Sequence, residues 1–391
     1  MGQRGLADAG NVLDQQVTAG QQAGHTVLHL GRFADDDRVK LIQERLEFFC
    51  DIHAANHTVI FRKTFPNNFL ADFPMNATGY FSHPDCRRHE MGAGHPECPE
   101  RLDAIDDWLL ATGVKDALDT REAPQAALGD IELAHDRMMV AALRGLSDRL
   151  ADDVRAGGPA YAQIDPDTAL NAHTWNAALR AAGAALAATD AVLSGELENA
   201  FCAVRPPGHH ACHNKAMGFC FFNNVAIAAR YALERHGLKR VAIVDFDVHH
   251  GNGTEDILSG DERVLMVSFF QHPLYPYSGT ESRAGNMLNL PVPAYTKGMD
   301  VRELIEMMWI PRLEEFKPEM IFVSAGFDAH RDDDLGQMGL VEQDYAWITQ
   351  RIKDVAKRHA RGRIVSSLEG GYNLNALARS VEAHIRVLAD L

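Results

Sequence analysis

The sequence predicts an α/β protein: a single domain with a mostly parallel central sheet flanked by helices. Short apolar runs such as 241–244 and 320–324 are continuous rather than alternating, as strands buried on both faces are. These runs alternate with longer segments of helical character, the order that builds βαβ units. The polar residues that look out of place, His209-His210, Asp247-His249, Asp328 and Tyr372, all fall just past the ends of such runs. That edge of an open α/β sheet is where ligands bind.

Taken in order, residues 1–74 read differently from the rest. The segment opens polar and Gly/Gln-rich, with a short helix expected at 38–49, a short strand at 57–63 and no assembled domain. Such a composition suits disorder. The expectation is that the functional protein begins near Met75, which leaves 1–74 as an unassigned extension and 75–391 as the main domain. A first strand and loop follow at 79–84. Pro99 opens a helix to 111, seated where a first helical residue belongs. Helices are expected at 131–143 and, from alanine content, at 168–193. A strand at 201–204 runs into Arg205-Pro206-Pro207-Gly208-His209-His210, and a helix follows at 223–235. The strand 241–244 turns abruptly into Asp245, Asp247, His249 and His250. Strands at 263–269, 320–324 and 363–368 and helices at 300–316, 341–359 and 375–388 complete the pattern.

At 391 residues the chain has room for a large core, and its net charge of −16 argues against direct binding to nucleic acid or an anionic membrane. That charge favours a basic partner such as a lysine-bearing tail. The six cysteines form no C-x-x-C pair and read as reduced thiols of a cytoplasmic protein. No uninterrupted apolar run reaches 18 residues, so no membrane span is expected, and no secretory signal is visible.

Charge directly after a buried strand is costly without compensation, and a metal ion compensates it. Asp247 and His249 stand two apart, so an extended segment points both to one side. Asp328 has the same setting and supplies a third donor. One imidazole and two carboxylates suit zinc with an open position, and the same set accepts Fe(II). The prolines before His209-His210 make a rigid loop, suited to holding a general base. Tyr372, after Gly370-Gly371, offers a phenol that can donate to an oxyanion. Other chemistries fail on spacing. Gly251 and Gly253 lack the third glycine of a dinucleotide loop, His89 and His95 stand six apart, and no G-x-S-x-G occurs. Asp332-Asp333-Asp334 reads as a solvated loop and Met338 as core.

The segments RPPGHHA (205–211), MGFCFFNN (217–224), DFDVHHGNGT (245–254), SAGFDAH (324–330) and LEGGY (368–372) together resemble the histone deacetylase superfamily. HPECPERL (95–102) is similar to an early loop of its class II-like branch, which holds bacterial deacetylases and acetylpolyamine amidohydrolases. The likeness runs from about residue 78 to the C-terminus. It implies an arginase/deacetylase-like fold and zinc-dependent amide hydrolysis. Asp247, His249 and Asp328 would hold Zn2+. His209 would be oriented by Asp245, and His210, near Asn252, would act as base and then acid. Tyr372 would polarise the acetyl carbonyl. Phe219 and Tyr275 would wall a substrate tunnel, the Gly218 carbonyl would face the substrate amide, and Arg101 would lie by an internal acetate channel. A structural K+ would sit on Asp245, Asp247, His249, Ser268 and Phe269, mostly through main-chain oxygens.

Polyamine-selective relatives carry an acidic gatekeeper seven residues after the last zinc aspartate, where this chain has Leu335. The expected substrate is therefore an acetylated lysine in a protein, or a small acetylated amine. The rival readings are an acetylpolyamine amidohydrolase, a di-manganese ureohydrolase, which would need further Asp and His ligands where His250 and Asn252 stand, and an acetyl-lysine-binding scaffold. The family also admits homo-oligomers.

Overall fold

The computed structural model describes residues 77–391. The extension 1–74, with its expected helix and strand, lies outside the described residues. Among the described residues ten strands occur: β1 (Thr78–Ser82), β2 (Asp119–Glu122), β3 (Tyr161–Gln163), β4 (Ala169–Asn171), β5 (Asn199–Cys202), β6 (Val241–Asp245), β7 (Val264–Gln271), β8 (Met287–Val292), β9 (Met320–Ala325) and β10 (Ile364–Leu368). Eight form one sheet in the order β2-β1-β5-β10-β9-β6-β7-β8, every pair parallel. β3 and β4 make a separate antiparallel pair.

The predicted architecture is the one observed. The inner strands β5, β6, β9 and β10 are buried along their whole length, which is why their sequences are apolar runs without alternation. Helix Leu374–Leu388 packs on helices Glu342–His359 and Glu100–Ala111, while helix Thr174–Ser194 packs on helix Asn224–Glu234. The alanines of Thr174–Ser194 permit close approach. A Cβ on Gly183 would stand only 1.9 Å from the Pro124 carbonyl. This helix is the one segment among the described residues long and apolar enough to cross a membrane, yet 72% of its apolar window is buried in the protein.

Several element boundaries differ from expectation for identifiable reasons. The helix predicted at 131–143 is two helices, Leu128–Ile131 and Arg137–Arg155, because the Asp136 carboxylate caps the second by accepting from the Met138 and Met139 N–H groups (2.8 and 3.2 Å). The segment expected to be helical from 168 begins as β4. Asn171 donates its N–H to Thr174 Oγ1 and accepts from the His173 N–H with its side chain, a local alternative to helical bonding. The helix expected at 300–316 contains a π turn over Ile305–Trp309. Pro311 stands two residues beyond it, has no N–H to give and crowds the carbonyl four residues back, within the turn. The unpredicted β2 and β8 are the sheet's edges, with alternating burial and, in β8, Pro291.

Strand order positions the site. β10, β9 and β6 are neighbours and β5 flanks β10. Their C-terminal ends deliver Tyr372, Asp328, Asp247-His249 and His209-His210 to one place.

Candidate functional site

Asp247, His249 and Asp328 converge at the ends of β6 and β9. One donor atom from each lies within 4.8 Å of the others, and all three residues are buried. His249 Nδ1 stands 2.9 Å from Asp247 Oδ1 and 3.2 Å from Asp328 Oδ2. The carboxylates are held from behind. Asp247 accepts from the His249 and Gly370 N–H groups (2.8 and 2.9 Å), and Asp328 Oδ1 accepts from the Val248 N–H (2.9 Å). Asp328 Oδ2 is buried and accepts no hydrogen bond. Burial and the neighbouring Asp247 charge push the Asp328 carboxyl above the usual range. Two glycines keep the space clear. A Cβ on Gly370 would stand 1.9 Å from Asp328 Oδ2, and one on Gly326 would stand 2.0 Å from Asp247 Oδ2. A buried carboxylate oxygen that accepts no hydrogen bond, a second carboxylate and an imidazole, in a cradle kept open by glycine, fit a divalent cation.

The histidine pair lies beside these donors. The two rings are 4.0 Å apart. His209 Nδ1 is 3.1 Å from Asp245 Oδ2, and its Nε2 is 3.8 Å from Asp247 Oδ2. Burial opposes a charge on His209, but the Asp247 and Asp245 carboxylates outweigh it and raise the ring to about 10. His210 goes the other way, lowered well below its ordinary value by burial and by the charges of His209 and His249. Its Nδ1 is 2.7 Å from Asn252 Oδ1. The Asn252 amide nitrogen faces the sulfurs of Cys212 and Met217 (3.4 and 3.5 Å), so its oxygen is the atom offered to His210. His210 is therefore neutral with its proton on Nδ1, and Nε2 keeps a free lone pair.

Gly218, Phe219 and Tyr275 lie beside these residues. The Tyr275 ring lies 5.1 Å from His210, and the Phe219 ring lies 6.0 Å from Tyr372. Gly218, at φ 57°, passes so close that a Cβ would stand 2.6 Å from the His210 ring and 2.9 Å from the Tyr275 hydroxyl. Leu335 is half-buried on the loop after β9. Arg101 is fully buried, donates from Nε to the Gly371 carbonyl (2.7 Å), and sets its guanidinium 4.9 Å over the Tyr372 ring. Burial, reinforced by the Asp328 charge, holds the Tyr372 phenol well above its ordinary pKa, so it keeps its proton. Ser268 faces Asp245 across the β6–β7 register, with Phe269 next to it.

Three carboxylates were not assigned roles from sequence. Glu369 is buried, accepts from the Gly208 and His209 N–H groups (2.6 and 3.1 Å) and from Ser324 Oγ (3.2 Å), and so pins the histidine loop. Burial pushes it up to about 7. Its signal was available: it is a carboxylate directly after a buried strand, as Asp328 is three residues past one. Glu97 is gripped by Arg205, which donates Nη2 to its Oε2 (2.7 Å), and by Arg101 (3.1 Å), with His89 at 3.4 Å. Burial alone would raise Glu97, but Arg205 and His89 hold it well below the carboxylate range. The third corrects the solvated-loop reading of 332–334. Asp332 and Asp334 are exposed, but Asp333 is 5% exposed and turned inward.

Known proteins resemble the chain over most of the described residues. A family model described as the histone deacetylase domain matches residues 95–388. The histone deacetylase-like amidohydrolase of Pseudomonas aeruginosa is 39% identical over 288 residues, covering 72% of this chain and 73% of that protein. A probable deacetylase of Archaeoglobus fulgidus is 37% identical, covering 76% of this chain and 82% of that protein. The crystal structure of the HDA15 HD domain superposes with a TM-score of 0.74 at 33% identity, covering 81% of this chain and 89% of the other.

Proposed function

Because this chain belongs to the histone deacetylase family of hydrolytic deacetylases, we propose that it removes acetyl groups from lysine side chains, in proteins or in small acetylated amines. Asp247, His249 and Asp328 would hold the metal, Zn2+ or Fe2+. When bound there, the cation would polarise the substrate carbonyl and make a water acidic enough to lose its proton near neutral pH.

The chain's own groups do the rest. His210 Nε2 takes a proton from the attacking water while the water oxygen bonds to the carbonyl carbon. The carbon–nitrogen bond then breaks, and His210 returns the proton to the departing amine. Asn252 keeps His210 in the tautomer that this requires. Burial, with His209 fixed beside it by Asp245, holds the His210 ring below its ordinary pKa. The Tyr372 hydroxyl donates to the carbonyl oxygen as negative charge develops there. Gly218, Phe219 and Tyr275 would line a slot for the apolar stem of an acyl-lysine. Leu335 favours that stem over a second cationic amine. Arg101, fully buried, would assist acetate departure. Structural K+ would sit on main-chain oxygens of Asp245, Asp247, His249, Ser268 and Phe269, a placement supported by the β6–β7 register. The cytoplasm is the compartment we assign, and the five described cysteines are free thiols.

The observation that carries this reading is a buried His210, its Nδ1 anchored on Asn252 Oδ1, beside a three-donor cation cradle. The experiment is turnover of an acetyl-lysine peptide and an acetylated polyamine by one sample, before and after chelation and zinc restoration. Zinc-restored peptide deacetylation with little polyamine turnover is expected. Preferential polyamine turnover would overturn the substrate class. No turnover of either by folded, zinc-loaded protein would reject acetyl-lysine hydrolysis.

A further inference from the structure

The peptide group joining Gly371 to Tyr372 is held at both ends by buried charged side chains from different parts of the chain. Its carbonyl accepts from Arg101 Nε (2.7 Å), and its N–H donates to Asp333 Oδ2 (2.6 Å). The same Asp333 oxygen accepts from the Asn373 N–H (3.0 Å), and Asp333 Oδ1 accepts from the Leu335 N–H (3.0 Å). One carboxylate thus gathers three backbone donors from two loops.

The need for such a clamp lies in the local sequence. Two glycines precede Tyr372, and Gly371 sits at φ 118°, a conformation that side chains rarely adopt. A Gly-Gly segment places little restraint of its own on the next peptide plane. On the other side, Asn373 caps helix Leu374–Leu388 by accepting from the Ala376 N–H (3.0 Å). Tyr372 therefore stands between a permissive hinge and a fixed helix start.

We infer that Asp333 is a positioning residue for the reaction: by clamping the Gly371–Tyr372 peptide opposite Arg101, it aims the Tyr372 hydroxyl, and it ties that aim to the loop carrying Leu335. The inference rests on the reading of Tyr372 as the oxyanion donor. Loss of the clamp swings the phenol without removing it. A displacement of ~1 Å of a reacting group can cost about a hundredfold in rate, so the effect falls on kcat rather than on KM.

The test uses the full zinc-loaded chain with D333N, D333E, Y372F and the double variant D333N/Y372F. Turnover of an acetyl-lysine peptide is measured with zinc stoichiometry and amide hydrogen exchange. The expected result is a kcat for D333N lower by about ten- to a hundredfold, with KM within about twofold and zinc content unchanged. D333E should recover part of the loss. In the Y372F background D333N should cost little more, because the group it aims is already gone. The Tyr372 and Asn373 amides should exchange slowly in the wild type and faster in D333N. Wild-type kcat in D333N overturns the inference, as does the same loss with or without the Tyr372 hydroxyl. If D333N does not fold, the wild-type amides decide: exchange at free-loop rates overturns the clamp, and slow exchange supports it. A wild type inactive on every acetylated amine defeats the proposed function, and the exchange data then still decide the clamp.

Discussion

Replacing Gly370 with alanine should cost the protein its dication while leaving its sheet intact. The added methyl would stand 1.9 Å from Asp328 Oδ2 and 2.7 Å from Asp247 Oδ2, where ordinary contact begins near 3.4 Å. Gly370 is not among the glycines at positive φ, so alanine meets no backbone penalty and only the clash is tested. To relieve it, the Asp328 carboxylate or the end of β10 must move by about 1.5 Å, against a tolerance of about 0.2 Å in metal–ligand distance. Disturbing groups that merely support a ligand costs about 10- to 100-fold in metal affinity. Displacing a ligand itself should cost more than about 100-fold, or roughly 2.7 kcal/mol. The assay is zinc affinity by competition with a chromophoric chelator, with circular dichroism as the check on folding. Gly129→Ala, which meets nothing within 4 Å, is the control. Zinc affinity in Gly370→Ala within about threefold of wild type would refute the assignment of Asp328 and the role of the cradle.

Three further outcomes are expected. Tyr372→Phe should keep zinc and fold but lose about 10²- to 10³-fold in kcat, as removal of an oxyanion donor does; undiminished turnover would take the phenol out of the mechanism. Asn252→Ala should release His210 to exchange tautomers and lower kcat by about 10- to 100-fold at constant zinc content, and a wild-type rate would show that the amide orients nothing. The third outcome concerns acid stability. His384 is fully buried between Thr349 and Ser366, and burial pushes it down to about 3. The unfolded chain binds that proton first as pH falls below the ordinary value of 6.5. Stability is therefore present above that pH and is lost progressively towards pH 3, by up to ~1.4 kcal/mol per unit. His384→Gln should flatten that slope in urea titrations at pH 7 and 5, and unchanged slopes would show that the ring contributes nothing to it.

The sequence made the centre of the molecule legible and its periphery less so. β6 and β9 could be read because burial on both faces demands continuous apolar residues, and Asp247, His249 and Asp328 stood out against them. Edge strands β2 and β8 carry no such demand and went unread. Asp136 carried a cap signal, an aspartate before a helical run, but the expected helix 131–143 ran through it. Asp333 carried none: beside two exposed aspartates its composition signals solvent, and its Tyr372 partner lies 39 residues away. Glu97 and Arg205, 108 residues apart, likewise become a pair only through tertiary structure.

The strand order also bears on how the protein is made. β10 lies between β5 and β9, yet it is the last strand to leave the ribosome. Until it arrives, the sheet can exist only as two halves, β2-β1-β5 and β9-β6-β7-β8, each with an unpaired inner edge of buried-type sequence. Such edges invite pairing with other chains. The cation cradle is unfinished at the same stage, because Asp247 accepts from the Gly370 N–H, 123 residues downstream. A nascent chain stopped short of β10 would be prone to aggregate and poor at capturing metal. Emergence of β10, sealing of the sheet and completion of the cradle would in this way be joined in a single event.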